Sequence, residues 1–365
     1  MLSERERDFS WRDGERLIRF GGGALTEAPE LLTKHGFEGY VLLCTRRALD
    51  SADRAGALAE GAEAVLEVPS GGVPDAAASV RGEVGGRPLV ALGGGRVLDS
   101  AKAIAAVDGL RCAAVPTTLS GAEVTAIHRL PSGAETPRAG LVRPALVIAD
   151  PELMASAPTP ALTATAMNAL AHGAEALYAP GANPVGELAA LRGAELIAAG
   201  LETPQPDRES LALGALLCAW AIDGAGLGMH HALCQTIVRL TGAPHAETNA
   251  VVLPAVLRYL APEVPRELGR LAAALDADED DPRLAAERAG ALAGGTKVAG
   301  LSALGVREDE LEAVVEAVLR RPARQSPGLP RSRRGPETAV RRALRRLDAL
   351  ARTRRETVAA RHRVH

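Results

Sequence analysis

The sequence predicts an α/β domain built on a parallel sheet, followed by an all-helical domain. Three observations carry this expectation. Between residues 20 and 150, short uninterrupted apolar runs alternate with longer Ala- and Leu-rich stretches of helical spacing. That alternation marks strands covered on both faces by crossover helices. After Asp150-Pro151 the strand-like runs cease and only helical patterns follow. A chain of 365 residues also has room for two domains. The boundary is expected near residue 152, giving domains of 1–152 and 153–365.

The elements follow in order. The first twenty residues, "MLSERERDFSWRDGERLIRF", are densely charged and lack the apolar core of a signal peptide. "GYVLLCT" (39–45), "AVLEVPS" (64–70), "PLVALGG" (88–94), "CAAVPTT" (112–118) and "ALVIADP" (145–151) read as buried strands. "DRAGALAEGA" and "RVLDSAKAIAAV" read as helices between them. Beyond the boundary, helices are predicted at 162–178, 186–200, 209–226, 229–239, 249–260, 264–275, 282–294 and 308–320. "RRPARQSPGLPRSRRGP" (320–336) is a Pro/Arg-rich break. After it, Val340, Leu344, Leu347 and Leu350 predict one amphipathic helix over 337–353. No internal repeat is apparent.

Composition narrows the function classes. Apolar residues make up 47% of the chain but aromatic ones only 2%, so Ala, Leu and Val must fill the cores. Cys44, Cys112, Cys218 and Cys234 are widely spaced in apolar contexts without a CxxC pair. They read as reduced core thiols of a cytoplasmic protein. No apolar run approaches the ~18 residues of a membrane span. From Arg320 onward fifteen arginines face three acids, a tail of +12 on a chain of net −3. The rest therefore carries −15 and offers few aromatics for base stacking, which argues against nucleic acid as a partner.

Two stretches carry chemistry. In "PLVALGGGRVLDSAKAIAA" a strand runs through Gly93, Gly94 and Gly95 into a helix. Such a turn lets backbone N–H groups approach a pyrophosphate, although it matches neither the GxGxxG fingerprint nor a P-loop. A plain structural turn is the alternative. "VPTTLSGAEVT" ends the next strand with Thr117, Thr118 and Ser120, hydroxyls suited to phosphate or ribose. Asp99 and Lys102, one helical turn apart, are expected to form an exposed ion pair.

The second stretch joins "NALAHGAEALY" to "GMHHALCQTIVRLTGAPHAETNA". Asn168 and His172 share a helix face, as do His231 and Gln235. His245 follows a "TGAP" turn and begins the next helix, so the chain folds back to bring it towards His231. Three histidines and one more polar side chain resemble a metal site. Yet Asn168 offers a carbonyl dipole where a divalent ion favours a carboxylate. Taken singly, each histidine also reads as a hydrogen-bonded interior residue.

"GGGRVLDSAK", "PTTLSGAEVT", "DPEL", "NALAHGAEALYAPGANP" and "HHALCQTIVRLTGAPHAETNAVVLP" occur in this order. Together they resemble the iron-containing alcohol dehydrogenase superfamily, whose fold is also that of dehydroquinate synthase. Within it they are most similar to the maleylacetate reductase branch, through the Asn of "NALAH", the "LYAP.ANP" stretch, and "HH.LC" followed by "PHAET". The resemblance covers roughly residues 15–260. It implies a dinucleotide-binding α/β domain, a helical domain bearing the substrate site, and a homodimer. By position, Gly93, Gly94 and Gly95 would hold the pyrophosphate of NADH or NADPH, with Thr117 and Thr118 on the cofactor. Arg96 replaces the family's usual Ser and could add a charge contact to phosphate or point to solvent. Metal-dependent relatives often carry an Asp where this chain has Thr45-Arg46-Arg47. An arginine such as Arg46 suits a 2′-phosphate, which points to NADPH.

In the metal-dependent branch the positions of Asn168, His172, His231 and His245 are an Asp and three His that hold the ion. The maleylacetate reductase pattern at 168 implies catalysis without metal by His172, His231, His245, Asn168 and Gln235. Should a metal bind, His172, His231 and His245 would be its ligands. Reducing a C=C conjugated to a ketone forms an enolate, which hydrogen-bond donors can stabilise and an acid can protonate. Gln235 stands where both branches commonly have His, so proton transfer falls to His172, His231 or His245. Asn249 replaces another His, and Arg138 and Arg143 are what remains of a basic segment suited to carboxylates. The family's "NPYWNPRP"-like stretch becomes "RRPARQSPGLP". The substrate is accordingly an unsaturated or carbonyl compound, with or without carboxylates. A zinc- or iron-dependent alcohol dehydrogenase and a non-redox lyase or cyclase on the same scaffold are the alternatives.

Overall fold

The computed structural model describes residues 2–50, 55–134 and 136–320. The helix expected at 337–353 and nearly all of the Pro/Arg-rich break lie outside the described residues. The strands are β1 (Asp8–Asp13), β2 (Arg16–Gly21), β3 (Val41–Cys44), β4 (Ala64–Glu67), β5 (Leu89–Gly93), β6 (Cys112–Pro116) and β7 (Leu146–Ala149). They form one sheet in the order β1-β2-β7-β6-β5-β3-β4. All neighbours are parallel except β1 and β2.

The five strands expected from the sequence are parallel, and β1 adds an antiparallel edge through β2. Asp13 pairs with Arg16 across a two-residue turn whose first residue, Gly14, has φ +61°. A residue at positive φ in that place is what a tight hairpin turn needs, and Gly supplies it without steric cost. Phe9 and Trp11 alternate with exposed Asp8, Ser10 and Arg12, and the Phe9 ring stacks on Phe20.

Helices α1 (Glu4–Arg7), α2 (Ala28–Lys34), α3 (Arg46–Asp50), α4 (Gly56–Glu60), α5 (Val73–Arg81) and α6 (Gly95–Asp108) precede β6, and α7 (Pro151–Met154) follows β7. The sheet interior is apolar on both faces. Leu42, Val90, Val115 and Ile148 pack into one core with Phe37 and Leu32, while Leu43, Ala91, Ala114 and Leu89 pack into another with Leu98 and Ile104. Each such buried Leu, Val or Ile side chain contributes roughly 1.5–3 kcal/mol relative to exposure.

The rest of the described chain is helical, as expected: α8 (Thr159–Ala176), α9 (Pro184–Glu202), α10 (Arg208–Ala225), α11 (Met229–Thr241), α12 (His245–Leu260), α13 (Pro265–Ala274), α14 (Leu284–Ala293) and α15 (Glu310–Leu319). One compact unit runs to Ala157 and includes Asp207–Ala219; the other takes in Pro158–Pro206 and the described residues from Trp220. In the second unit, α12 packs against α8, α11 and α14. Helix α8 is buried along nearly its whole length, and its many Ala residues let neighbours approach closely.

Candidate active site

In the first unit the chain passes outward from β3 to β4 and returns across β3 to β5, so strand order reverses between β3 and β5. Loops leaving the carboxyl ends diverge at such a point and open a crevice. Cys44 is in register with Leu92, and Gly93 with Pro116. The segments Thr45-Arg46, Gly93-Gly94-Gly95 and Thr117-Thr118 therefore leave the sheet side by side.

Close packing requires glycine at 93 and leaves little room at 94 and 95. A Cβ on Gly93 would lie 2.7 Å from Val97 Cβ, one on Gly94 3.1 Å from Thr118 Cγ2, and one on Gly95 3.3 Å from Ser120 Cβ. Gly94 is the N-cap of α6 and offers no capping side chain. The Val97 amide donates to the Gly94 carbonyl at 3.0 Å, so the amides of Gly95 and Arg96 are the ones left to bind an anion. Arg96 sits in that same turn, where a cation opposes the helix dipole. Its Nε is buried and has no hydrogen-bond partner among the described residues. The residues present fit the phosphates of a dinucleotide. Arg46 and Arg47 open α3 and are exposed, and the Arg46 amide donates to Glu67 Oε1 at 3.3 Å.

Two expectations for this unit are corrected. Lys102 is not part of an exposed pair but fully buried, its Nζ 2.9 Å from Asp99 Oδ1 and donating at 2.9 Å to the Thr125 and Ile127 carbonyls. Its charge anchors the loop after β6. Arg138 and Arg143 do not reach the crevice edge. Arg138 packs beside Gly109, past the far end of α6 from the glycine turn, and Arg143 precedes β7 at the amino edge of the parallel strands.

In the second unit, Asn168, His172 and Glu175 form a stripe along one face of α8, all buried. His231 lies in the first turn of α11, and its ring stacks on His172 with centroids 4.7 Å apart and planes 10° from parallel. His230 meets the edge of His231 at 5.0 Å. His245 opens α12, exposed, and its charge bears on both His231 and His172. Gln235 is half-buried one turn after His231. Asn249 Oδ1 accepts from His230 Nε2 at 2.8 Å, and its Nδ2 donates to the His245 carbonyl at 2.7 Å. It ties α11 to the start of α12.

Glu175 is the residue that sequence reasoning missed. Its Oε1 accepts the His231 amide at 3.1 Å, the Gly228 amide also donates to the carboxyl group, and its Oε2 is 2.5 Å from His231 Nδ1. Gly228 is the N-cap of α11 and supplies no side-chain cap, so a carboxylate from α8 caps the helix instead. A Cβ on Gly228 would stand 2.9 Å from Glu175 Oε1, so only Gly permits this approach. The Tyr178 hydroxyl is 3.4 Å from the same oxygen.

Burial drives these groups towards their neutral forms. It pushes the Glu175 carboxyl up, His231 and His230 each down to about 3, and His172 well below the usual imidazole value, with the crowded imidazoles repelling one another's charge. Glu175 Oε2 and His231 Nδ1 share one proton, which leaves Nε2 as the ring nitrogen facing the cluster. His231 Nε2, His172 Nδ1 and Asn168 Oδ1 are all buried and have no partner among the described residues. Three unmet polar atoms in one cluster are costly unless a ligand meets them. Such a site can donate to a developing oxyanion.

Among the described residues no three His, Cys, Asp or Glu side chains stand where they could share an ion. The amide of Asn168 brings no charge, and the one carboxylate in the cluster, Glu175, is engaged by His231 and two amides.

The chain matches two family models, "Iron-containing alcohol dehydrogenase" over residues 16–151 and "Fe-containing alcohol dehydrogenase family, C-terminal" over residues 162–333. It is 33% identical over 317 residues to a maleylacetate reductase of Pseudomonas sp. (strain P51), covering 83% of this chain and 88% of the relative. Identity to maleylacetate reductase 1 of Rhodococcus opacus is 40% over 196 residues, covering 52% and 55% of the two chains. The crystal structure of maleylacetate reductase from Agrobacterium tumefaciens superposes with a TM-score of 0.76 at 30% identity, over 93% of this chain and 97% of that one.

Proposed function

Because the chain belongs to the iron-containing alcohol dehydrogenase family, and within it to the maleylacetate reductase branch, we propose that it reduces a conjugated C=C or carbonyl of a small substrate without a metal. Membership makes it an NAD(P)H-dependent oxidoreductase. The observation that carries the finer reading is the buried cluster of His172, His231 and Asn168 with unmet polar atoms and a neutral amide at 168.

The reduced nicotinamide supplies a hydride when bound. In the proposed reaction the hydride adds to the carbon β to the ketone, the C=C electrons move onto oxygen, and an enolate forms. His231 Nε2–H meets that oxygen. A proton then adds to the α carbon and the ketone is restored, so one NAD(P)H and one proton are consumed per C=C reduced. Because Arg138 and Arg143 lie away from the crevice edge, the reading does not require a carboxylate on the substrate. We extend it to a cytoplasmic homodimer, in keeping with four buried free cysteines.

The test is turnover of maleylacetate and of uncharged conjugated enones with NADPH and NADH, before and after exhaustive chelation. Retained activity supports the reading. Activity lost on chelation and restored by Zn²⁺ or Fe²⁺ would sink it, and dinucleotide binding without oxidation across the panel would favour a non-redox enzyme.

A further inference from the structure

We infer that Glu175 is the positioning residue of the histidine cluster, acting through His231 and not through His172. The inference rests on the reading of that cluster as the place where substrate oxygen is met. Its foundation is an asymmetry between two stacked rings. His231 is fixed on three sides: Nδ1 by Glu175 Oε2 at 2.5 Å, one face by the His172 ring at 4.7 Å, and an edge contact to His230 at 5.0 Å. Among the described residues His172 has the stack, and its Nδ1 lacks a hydrogen-bond partner.

The carboxyl group that does the fixing is itself held. The amides of His231 and Gly228 engage it from the start of α11, and Tyr178 stands 3.4 Å from Oε1. Oε2 is thereby aimed at Nδ1. A ring with Nδ1 committed in this way presents substrate with Nε2 only, and that is the buried atom left unmet. An orienting partner behind an imidazole selects its tautomer and its direction, as carboxylates behind metal-bound histidines do elsewhere. Of the two histidines, His231 is therefore the one that meets the oxygen, and His172 serves as the surface against which it is set.

A helix cap alone would explain Glu175 without any role in turnover, and the experiment must separate the two. Glu175→Gln keeps the shape and an acceptor oxygen, while Glu175→Ala removes both. Turnover of maleylacetate, NADPH affinity, melting temperature and the ¹⁵N shifts of the His231 ring are measured on each full-length protein, with His231→Gln assigning the signals. In Glu175→Gln we expect kcat to fall roughly 10- to 100-fold, KM and NADPH affinity to stay within about 2-fold, and the His231 ring shifts to move. His231→Gln should lower kcat more than His172→Gln does. Unchanged His231 ring shifts in Glu175→Gln overturn the inference and leave Glu175 a helix cap, whether or not melting temperature falls. Should the wild-type protein turn over no enone while the His231 shifts move in Glu175→Gln, the positioning stands and the reductase reading fails.

Discussion

The imidazoles of His172 and His231 stack with centroids 4.7 Å apart and planes 10° from parallel. A proton on either ring faces the other at short range in a buried setting. Burial, joined by the nearby charge of His245, takes His231 from 6.5 to about 3. The folded chain then binds fewer protons than the unfolded chain between those values. Stability from this site is present above 6.5 and is lost as pH falls through that window. Glu175 opposes the effect, since its raised carboxyl binds a proton in the folded state. The comparison to make is unfolding of wild type against His231→Gln. Relative to the variant, wild type should lose up to about 1.4 kcal/mol per pH unit between pH 6 and 4. A pH-independent difference would show that His231 titrates normally.

At the glycine turn, Gly94→Asp should weaken dinucleotide binding by 10-fold or more, roughly the loss of one charge-assisted contact plus repulsion. The residue has ordinary φ and ψ, so backbone strain is not the cause. Its Cβ would press on Thr118 Cγ2 at 3.1 Å, and its carboxylate would face the α6 amides. Titration of NADPH by fluorescence, with circular dichroism to check folding, decides. Unchanged affinity in a folded variant would move the cradle elsewhere.

For the choice between cofactors, Arg46 and Arg47 stand exposed at the β3–β5 reversal. Replacing both with Ala should weaken NADPH more than NADH, because the two differ only at the 2′-phosphate. A selective loss of about 10-fold is expected for a removed arginine–phosphate contact. Equal losses would assign these arginines to the general field.

How much of this was legible in the sequence depends on where each residue's partner lies. Five parallel strands and eight C-terminal helices declared themselves through their own periodicity, a local property. The β1–β2 hairpin was hidden because Asp8, Ser10 and Arg12 on the exposed face of β1 left only Phe9 and Trp11 as apolar signal in a densely charged segment, although Asp13-Gly14 is a turn signal. Lys102 and Asp99 read the same whether exposed or buried, since the deciding contacts are carbonyls at Thr125 and Ile127. Glu175 shares a helical stripe with Asn168 and His172, but its meaning comes from His231, 56 residues away. Nothing local to "HGAEALY" announces that pairing.

Glu123 offers a test of burial without partners. It is fully buried, neither carboxyl oxygen has a hydrogen bond among the described residues, and burial raises it from 4.5 to about 7. The nearby cations are engaged elsewhere: Lys102 with Asp99, and Arg16 with Asp13 and the Val124 carbonyl. The folded state holds a proton that the unfolded chain has released, so this contribution is complete below 4.5 and lost as pH rises through 7. Glu123→Gln should match wild type near pH 4.5 and exceed it by about 3 kcal/mol at pH 8.5. Urea unfolding at the two pH values measures this, and a variant no more stable at pH 8.5 would indicate that Glu123 is ionised and solvated.

The neutral amide at 168 gives the last prediction. Asn168 precedes His172 by one turn of α8, and its Oδ1, His172 Nδ1 and His231 Nε2 are unmet together among the described residues. Asn168→Asp changes one atom type and places a carboxylate beside two neutral imidazoles, the mixed donor set that zinc favours. A formal negative charge attracts a divalent ion far more strongly than an amide dipole does. The variant should therefore bind Zn²⁺ at least about 10-fold more tightly than wild type by calorimetry, which needs no substrate. The same charge should harm a metal-free reduction, because it repels the enolate that His231 is set to stabilise. Loss of one oxyanion donor costs roughly 100-fold or more in kcat, and an opposing carboxylate should cost no less. Wild type, by contrast, should keep its turnover after exhaustive chelation. If Asn168→Asp gains no affinity for Zn²⁺ and turns over as well as wild type, the amide is not what separates this pocket from a metal site.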